Sequence, residues 1–301
     1  MKFDVELVGK IGSMALIAKQ AQIPDYTRIA RLSRELKPGY IWVTSGATEI
    51  GRLDYLRRHG RELEGKMEDV KADYSAEGQS ILMSTYRQYV DPRYSIRQVL
   101  VEHQHFNDPL KREFLKSLLL RCKEQNAIPI VNYNDAVCAE ENRKMEIQAL
   151  LSAHKKVVEC VDNDETAAQI ACLVKAETLL ILTSTDGIYK DLKKGELVEE
   201  IGGKDVCEVL ENIDYYKGFC SGASRAGANG AGAKLEYIKD AVKQGTKVII
   251  ANGKYSIKEV LSGAVPATRI CVRYKKRRNF FRRFFISAHK RSFPVHTKHS
   301  Y

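Results

Sequence analysis

The stretch VELVGKIGSMAL, residues 5–16, decides how the rest of the chain is read. Its first five residues form a short, largely apolar run rich in valine, and Lys10, Gly12 and Ser13 follow where a turn is due. Similar runs recur at YIWVT (40–44), RQVLVE (97–102), IPIVN (128–132), TLLILT (178–183) and KVIIAN (247–252). Helical periodicity is read between them, over about 14–36, 47–59, 76–90, 109–125, 165–175 and 233–244. Short apolar strands separated by amphipathic helices predict a mainly parallel sheet covered on both faces. Ligands in such sheets sit beyond the carboxyl ends of the strands. Polar or glycine-rich turns stand at several of those ends: Lys10-Ile-Gly12-Ser13, Ser45-Gly46-Ala47, Tyr133-Asn134-Asp135 and Ser184-Thr185-Asp186-Gly187. Gly, Ser and Asp are ordinary turn formers, so it is their recurrence at one predicted sheet edge that points to a site.

Composition narrows the class. A chain of 301 residues with 44% hydrophobic content can bury a sizeable core, as one large α/β domain or two smaller ones. No apolar run reaches the roughly 18 to 20 residues that cross a bilayer, and MKFDVELVGKIG lacks the layout of a signal peptide, so a cytoplasmic location is expected. The seven cysteines are scattered and never form CxxC, which argues against a zinc ribbon or disulfide framework and predicts buried, apolar-like thiols. His103 and His105 in VEHQHF make a lone HxH pair, read as structural, and no protein-held metal is expected. The net charge of +11 belongs to one end: residues 272–301 hold ten Lys or Arg and no acid, leaving 39 basic against 38 acidic residues elsewhere. Gly-Gly at 202–203 reads as a turn, 185–222 as loops and hairpins around a short helix near 204–212, and 143–155 as a helix with Ile147, Leu150 and Leu151 on one side.

GANGAGAK, residues 227–234, leads almost without side chains to Lys234 at the threshold of a predicted helix. Such a run lets backbone N–H groups approach a ligand, and the helix start favours an anion. A flexible surface loop is the plainer alternative. The stretch is not a Walker loop, because Ala233 and Leu235 flank the lysine where Gly and a hydroxyl residue are required.

Taken in order, VGKIGSMAL, WVTSGATEIG, AEGQSIL, IPIVNYNDAV, VDNDETAA, LLILTSTDGIY and GANGAGAKL resemble the motif series of the amino acid kinase family, most closely its glutamate 5-kinase branch. The resemblance runs from about residue 5 to 260. It implies a three-layer α/β/α sandwich with a mainly parallel central sheet, an amino acid kinase domain over 1–271, and a basic, aromatic tail over 272–301. It also implies an ATP-dependent kinase that phosphorylates the side-chain carboxylate of L-glutamate to glutamyl 5-phosphate, on the way to proline, in a homo-oligomer. By the same resemblance Lys10 and Lys234 neutralise charge on the phosphoryl group in flight, and Asp164 orients them. Ser45, Asp135 and Asn163 match positions that hold the amino acid substrate. Thr183, Ser184, Ala228, Asn229, Gly230, Ala231, Gly232, Ala233 and Lys234 line the nucleotide pocket with Lys10, and Mg2+ bridges the phosphates of ATP.

The chain departs from that pattern in three places. Ala228, Asn229 and Ala231 replace the Thr, Gly and Met of the glycine block, and Ser184 stands where an acid is usual. The stretch between Asp135 and Asn163 is longer than the family's connection. The tail, RYKKRRNFFRRFFISAHKR, interleaves arginines with Phe280, Phe281, Phe284 and Phe285, a pattern consistent with an anionic membrane surface, nucleic acid or another subunit. Two other functions therefore stand beside the main one: a family member with another acceptor, and a nucleotide-binding regulator whose tail holds RNA or membrane.

Overall fold

The computed structural model describes residues 2–273 apart from 19, 139, 154–156, 161 and 221–229. The expected tail falls outside the described residues from 274 onward. The strands are β1 (Val5–Ile11), β2 (Ile17–Ala18), β3 (Ile23–Pro24), β4 (Tyr40–Thr44), β5 (Ser95–Val101), β6 (Ala127–Tyr133), β7 (Ala176–Thr183), β8 (Tyr189–Asp191), β9 (Glu196–Leu197), β10 (Glu200–Gly203), β11 (Lys247–Asn252) and β12 (Ala267–Val272). The helices are α1 (Tyr26–Arg34), α2 (Ala47–His59), α3 (Met67–Tyr89), α4 (Gln104–Asn107), α5 (Pro109–Arg121), α6 (Glu140–Ala153), α7 (Asn163–Leu173), α8 (Val206–Lys217), α9 (Gly230–Tyr237), α10 (Lys239–Lys243) and α11 (Ile257–Ser262).

One sheet runs in the order β10-β12-β11-β7-β1-β4-β6-β5. Its neighbours are parallel except for β11 and β12. From β1 the chain adds β4, then the edge strand β5, and inserts β6 between them before returning to lay β7 and β11 on β1's other side. Strand order therefore reverses beside β1, and such a reversal opens a crevice at the carboxyl ends.

Alternate residues of each central strand serve opposite faces. Leu179, Ile181, Val248 and Ile250 join one core with apolar residues of α5, α7, α8 and α10. Leu180, Leu182, Ile249 and Ala251 join the other with α1, α2, α3 and α11. The chain is thus a three-layer α/β/α sandwich around a mainly parallel sheet. Burial on both sides explains why these strands read as continuous apolar runs.

Several elements differ from the sequence expectation. The helix read over 14–36 is interrupted, because Pro24 carries no N–H for a helix interior; Ile17 pairs with Pro24 in a hairpin, and Asp25 restarts the helix by accepting from Arg28 N at 2.9 Å. Gly202 and Gly203 are not a turn. They end β10, opposite Cys271 and Val272, and a Cβ on Gly203 would lie 2.7 Å from the Val209 amide of α8. Neither β10 nor β12 was expected as a strand. Helix α9 starts at Gly230, so Gly230–Ala233 form its first turn, and the helix ends at Tyr237 instead of running to 244. Leu151 is 46% exposed, away from buried Ile147, and Cys207 is exposed.

Helices α2 and α3 cross backbone to backbone. A Cβ on Gly51 would lie 1.9 Å from Tyr74 O, and one on Gly78 1.9 Å from Ala47 O. Neither neighbour is a side chain that can swing away, so Gly78→Ala must force the helices apart. The expected loss is about 3 kcal/mol, the upper part of the range for overpacking, read as a lower urea midpoint at an unchanged m-value.

Candidate active site

Lys10 sits near the carboxyl end of β1, in register with Val43 of β4 and Ile181 of β7. Sequence alone allowed a surface lysine here, but the residue is 7% exposed. Its ammonium lies 2.6 Å from Asp164 Oδ1, and the ammonium of Lys234 from α9 lies 2.9 Å from Asp164 Oδ2. Residues at opposite ends of the chain thus meet on one carboxylate.

Local structure fixes that carboxylate. Asp162 caps α7, accepting from Asp164 N at 2.8 Å and Glu165 N at 3.1 Å, which sets Asp164 in the first turn, where the helix start favours negative charge. Burial opposes ionisation of Asp164, but the two ammonium groups outweigh it and hold its carboxyl below the usual carboxylate range. Asp162 is pushed upward, first by burial and then by the charge of Asp164. Two acids two residues apart are driven in opposite directions.

The residue before Asp164 opens a second polar cluster. Asn163 Nδ2 donates to Ser45 Oγ at 3.1 Å and to Asn132 Oδ1 at 2.9 Å, and Asn132 Nδ2 donates to Gln79 Oε1 at 2.9 Å. Tyr133 N donates to Asn132 Oδ1 at 2.9 Å and to Asn163 Oδ1 at 3.3 Å. Beneath Ser45, the Tyr86 hydroxyl accepts from Trp42 Nε1 at 2.9 Å and lies 2.9 Å from Thr44 Oγ1. Burial pushes the Tyr86 phenol up to about 12, so it stays neutral.

Ser45 and Asn163 are therefore together, next to the Lys10–Asp164–Lys234 group. Asp135 stands two residues past β6, and among the described residues it makes no hydrogen bond to Ser45 or Asn163. The crowded cleft pushes its carboxyl up to about 6, with Arg143 and Lys71 pulling the other way. By accessible surface the residue is exposed, so water screens much of that shift and leaves its upward direction. Thr183 ends β7, its carbonyl accepting from Gly253 N at 2.8 Å, and exposed Ser184 accepts from Asn252 Nδ2 at 3.2 Å. Gly230, Ala231, Gly232 and Ala233 present the first N–H groups of α9, which have no intrahelical partner. Ala228 and Asn229 lie outside the described residues. His103 Nε2 is 2.9 Å from Glu146 Oε2, and no group of three or more metal-ligand residues forms among the described residues. No described helix is long and apolar enough to cross a membrane.

The sequence reading missed Gln79, Asn132, Asp162 and Arg143. Asn132 had a visible signal, an amide inside an apolar strand, and it is 2% exposed. Asp162 looked like one acid among several, although Asp before a helix is a common cap.

The family model for the amino acid kinase family matches residues 6–252. The chain belongs to the amino acid kinase family. Among curated relatives in this family, the glutamate 5-kinase of Streptococcus suis is 28% identical over 82% of this chain and 64% of its own length. That of Clostridium perfringens is 30% identical over 84% of this chain and 90% of its own length. The chain thus spans less than two thirds of the Streptococcus suis protein, and 55% of the Caldanaerobacter subterraneus glutamate 5-kinase. Among solved structures, a carbamate kinase from Giardia lamblia bound to AMP-PNP shares the fold, with a TM-score of 0.55 and 17% identity over 89% of this chain and 98% of that one.

Asp164→Asn keeps the shape but leaves one buried and one half-buried ammonium group facing each other. Breaking such a pair costs about 3 to 5 kcal/mol, measured by urea unfolding at pH 7. A carboxyl held low when folded stabilises above its unfolded pKa and loses that contribution as pH falls through the folded value. The gap between wild type and Asp164→Asn is therefore full at pH 7 and narrows below about pH 4, near the ordinary carboxylate pKa.

Proposed function

We propose that the protein transfers the γ-phosphoryl group of ATP to the side-chain carboxylate of L-glutamate, giving glutamyl 5-phosphate and ADP. One observation carries the proposal: Lys10 and Lys234 converge on buried Asp164, directly beside the Ser45–Asn163 amide chain. Phosphoryl transfer needs positioning and charge stabilisation more than covalent help from the protein. Two ammonium groups held by one carboxylate supply that. The acceptor carboxylate is a nucleophile at neutral pH, so no general base is needed.

In this reading an acceptor oxygen bonds to the γ-phosphorus while the bond to the oxygen bridging to ADP breaks, and the electron pair leaves with ADP. Lys10 and Lys234 face the oxygens that gather charge, and Asp164 keeps both in place. Ser45 and Asn163 hydrogen-bond the acceptor, and Asp135 takes its α-ammonium. Thr183, Ser184 and the start of α9 from Gly230 to Lys234 face the nucleotide, with Ala228 and Asn229 assigned to the same block. Mg2+ would enter on the phosphates, which suits its preference for phosphate oxygens and water, since both oxygens of Asp164 already face lysines. The glutamate 5-kinase relatives support glutamate as acceptor; the carbamate kinase likeness speaks only to fold.

The test is ADP release with Mg2+ and ATP across glutamate, aspartate, N-acetylglutamate, carbamate and UMP. Glutamate should give the highest kcat/KM, and Lys10→Ala or Lys234→Ala should each lower kcat roughly a hundredfold or more. No release with any acceptor, or unchanged turnover in Lys234→Ala, would refute the proposal. A second check uses pH. Because Asp135 is raised above the usual carboxylate range, its charged form is lost at a higher pH than that of an ordinary carboxyl. The glutamate KM should therefore climb as pH falls toward that range while the ATP KM stays level, and Asp135→Asn should show a high glutamate KM at every pH.

A further inference from the structure

The long connection between Asp135 and Asn163 folds as α6, and its inner face carries Arg143, Glu146, Ile147 and Leu150 at helical spacing. Ile147 is buried, and Glu146 is 2.9 Å from His103 Nε2 and accepts from Gln104 Nε2 at 3.3 Å. The returning chain is held by Asn107, which donates from Nδ2 to Val158 O at 2.8 Å and accepts from Val158 N at 2.9 Å. These contacts place Arg143 one helical turn before Glu146, over the end of β6. Its Nη1 donates to Cys160 O at 3.3 Å, and its guanidinium lies 5.8 Å from the Tyr133 ring centre. Among the described residues no carboxylate lies within ion-pair distance of it. Tyr133 N in turn donates to Asn163 Oδ1, so Arg143 sits between the end of β6 and the turn that delivers Asn163.

An α-amino acid acceptor carries an ammonium and a carboxylate on one carbon. A site that takes the ammonium on an acid has the carboxylate beside it still to hold; Ser45, Asn132 and Asn163 offer only neutral donors, and a cation there holds it more strongly. Lys10 and Lys234 are occupied on the phosphate side. We propose that Arg143 binds the α-carboxylate of the acceptor, next to Asp135, and so restricts the site to free α-amino acids. A guanidinium presents paired N–H donors that match a carboxylate. This assignment rests on the glutamate-kinase reading of the site and deepens it. It also accounts for the longer connection, since α6 carries the recognising cation. Lys71 of α3, on the other side of Asp135, is exposed and screened by water, and its effect should be the smaller one.

The experiment compares L-glutamate with its α-amide, L-isoglutamine, which keeps the γ-carboxylate to be phosphorylated and lacks the α-carboxylate. For Arg143→Ala in the full chain, the glutamate KM should rise roughly ten- to a hundredfold, the scale of one hydrogen bond to a charged group. The kcat and the ATP KM should hold, and the isoglutamine KM should stay at its wild-type value. Arg143→Lys should recover part of the loss, and Met145→Ala, on the exposed outer face of α6, should behave as wild type. An equal rise for both acceptors would mean that Arg143 only shapes the fold, and no change for either would remove it from the site; both overturn the proposal. A wild-type protein that turns over neither acid refutes the parent reading and this one with it, an outcome visible before any variant is made.

Discussion

A carboxylate gripped by two ammonium groups organises this molecule. Placing Asp164, Lys10 and Lys234 together away from water is costly unless each charge is answered, and the fold answers them from three directions. A central strand supplies Lys10, a capped helix start supplies Asp164, and a late helix supplies Lys234. Pairs such as Lys37–Glu6 lie on the surface and are screened. The buried one is confined to the crevice where strand order reverses, and the rest of the architecture can be understood as holding those elements in register.

The same constraint shapes the acceptor side. Asn163 and Asp164 are consecutive, so the first turn of α7 serves both the cationic group and the amide chain through Ser45, Asn132 and Gln79. Anything that shifts α7 shifts both. The wall opposite is the α2–α3 pair, where Thr48 and Ser75 hydroxyls lie 2.6 Å apart near the glycine crossing. Close approach there keeps Ser45 and Gln79 in reach of one another's partners. The site is thus as precise as the packing behind it.

Much of this was legible in the sequence, for physical reasons. The central strands first read were visible because burial on both faces makes them largely apolar, and TLLILT at 178–183 shows it plainly, whereas RQVLVE at the sheet edge carries only a short apolar run. Strands β10 and β12 were not, since EIGG and ATRICV are short and mix glycine or charge into the run, β10 at the sheet edge and β12 just inside it. The break in the helix read over 14–36 had a signal in Pro24 that apolar periodicity overrode. Lys10, Asp164 and Lys234 could be named only from the ordered series of motifs, because each alone looks like an ordinary surface or capping residue. Arg143 left no trace at all: a charged residue on a helix is usually solvated, and only tertiary placement over Tyr133 distinguishes it.

Among the described residues, helix α6 meets the body chiefly through buried Ile147, Arg143 on Cys160 O and Glu146 beside Gln104 and His103. Segments secured so lightly open by sub-global fluctuation at a small fraction of the free energy that unfolds the whole domain. Its amide hydrogens should exchange with solvent well before those of β1 or β7. With warming, α6 would then open while the Lys10–Asp164–Lys234 group still stands. The chain carries Arg143 on a lightly held helix and Lys10 on a buried central strand.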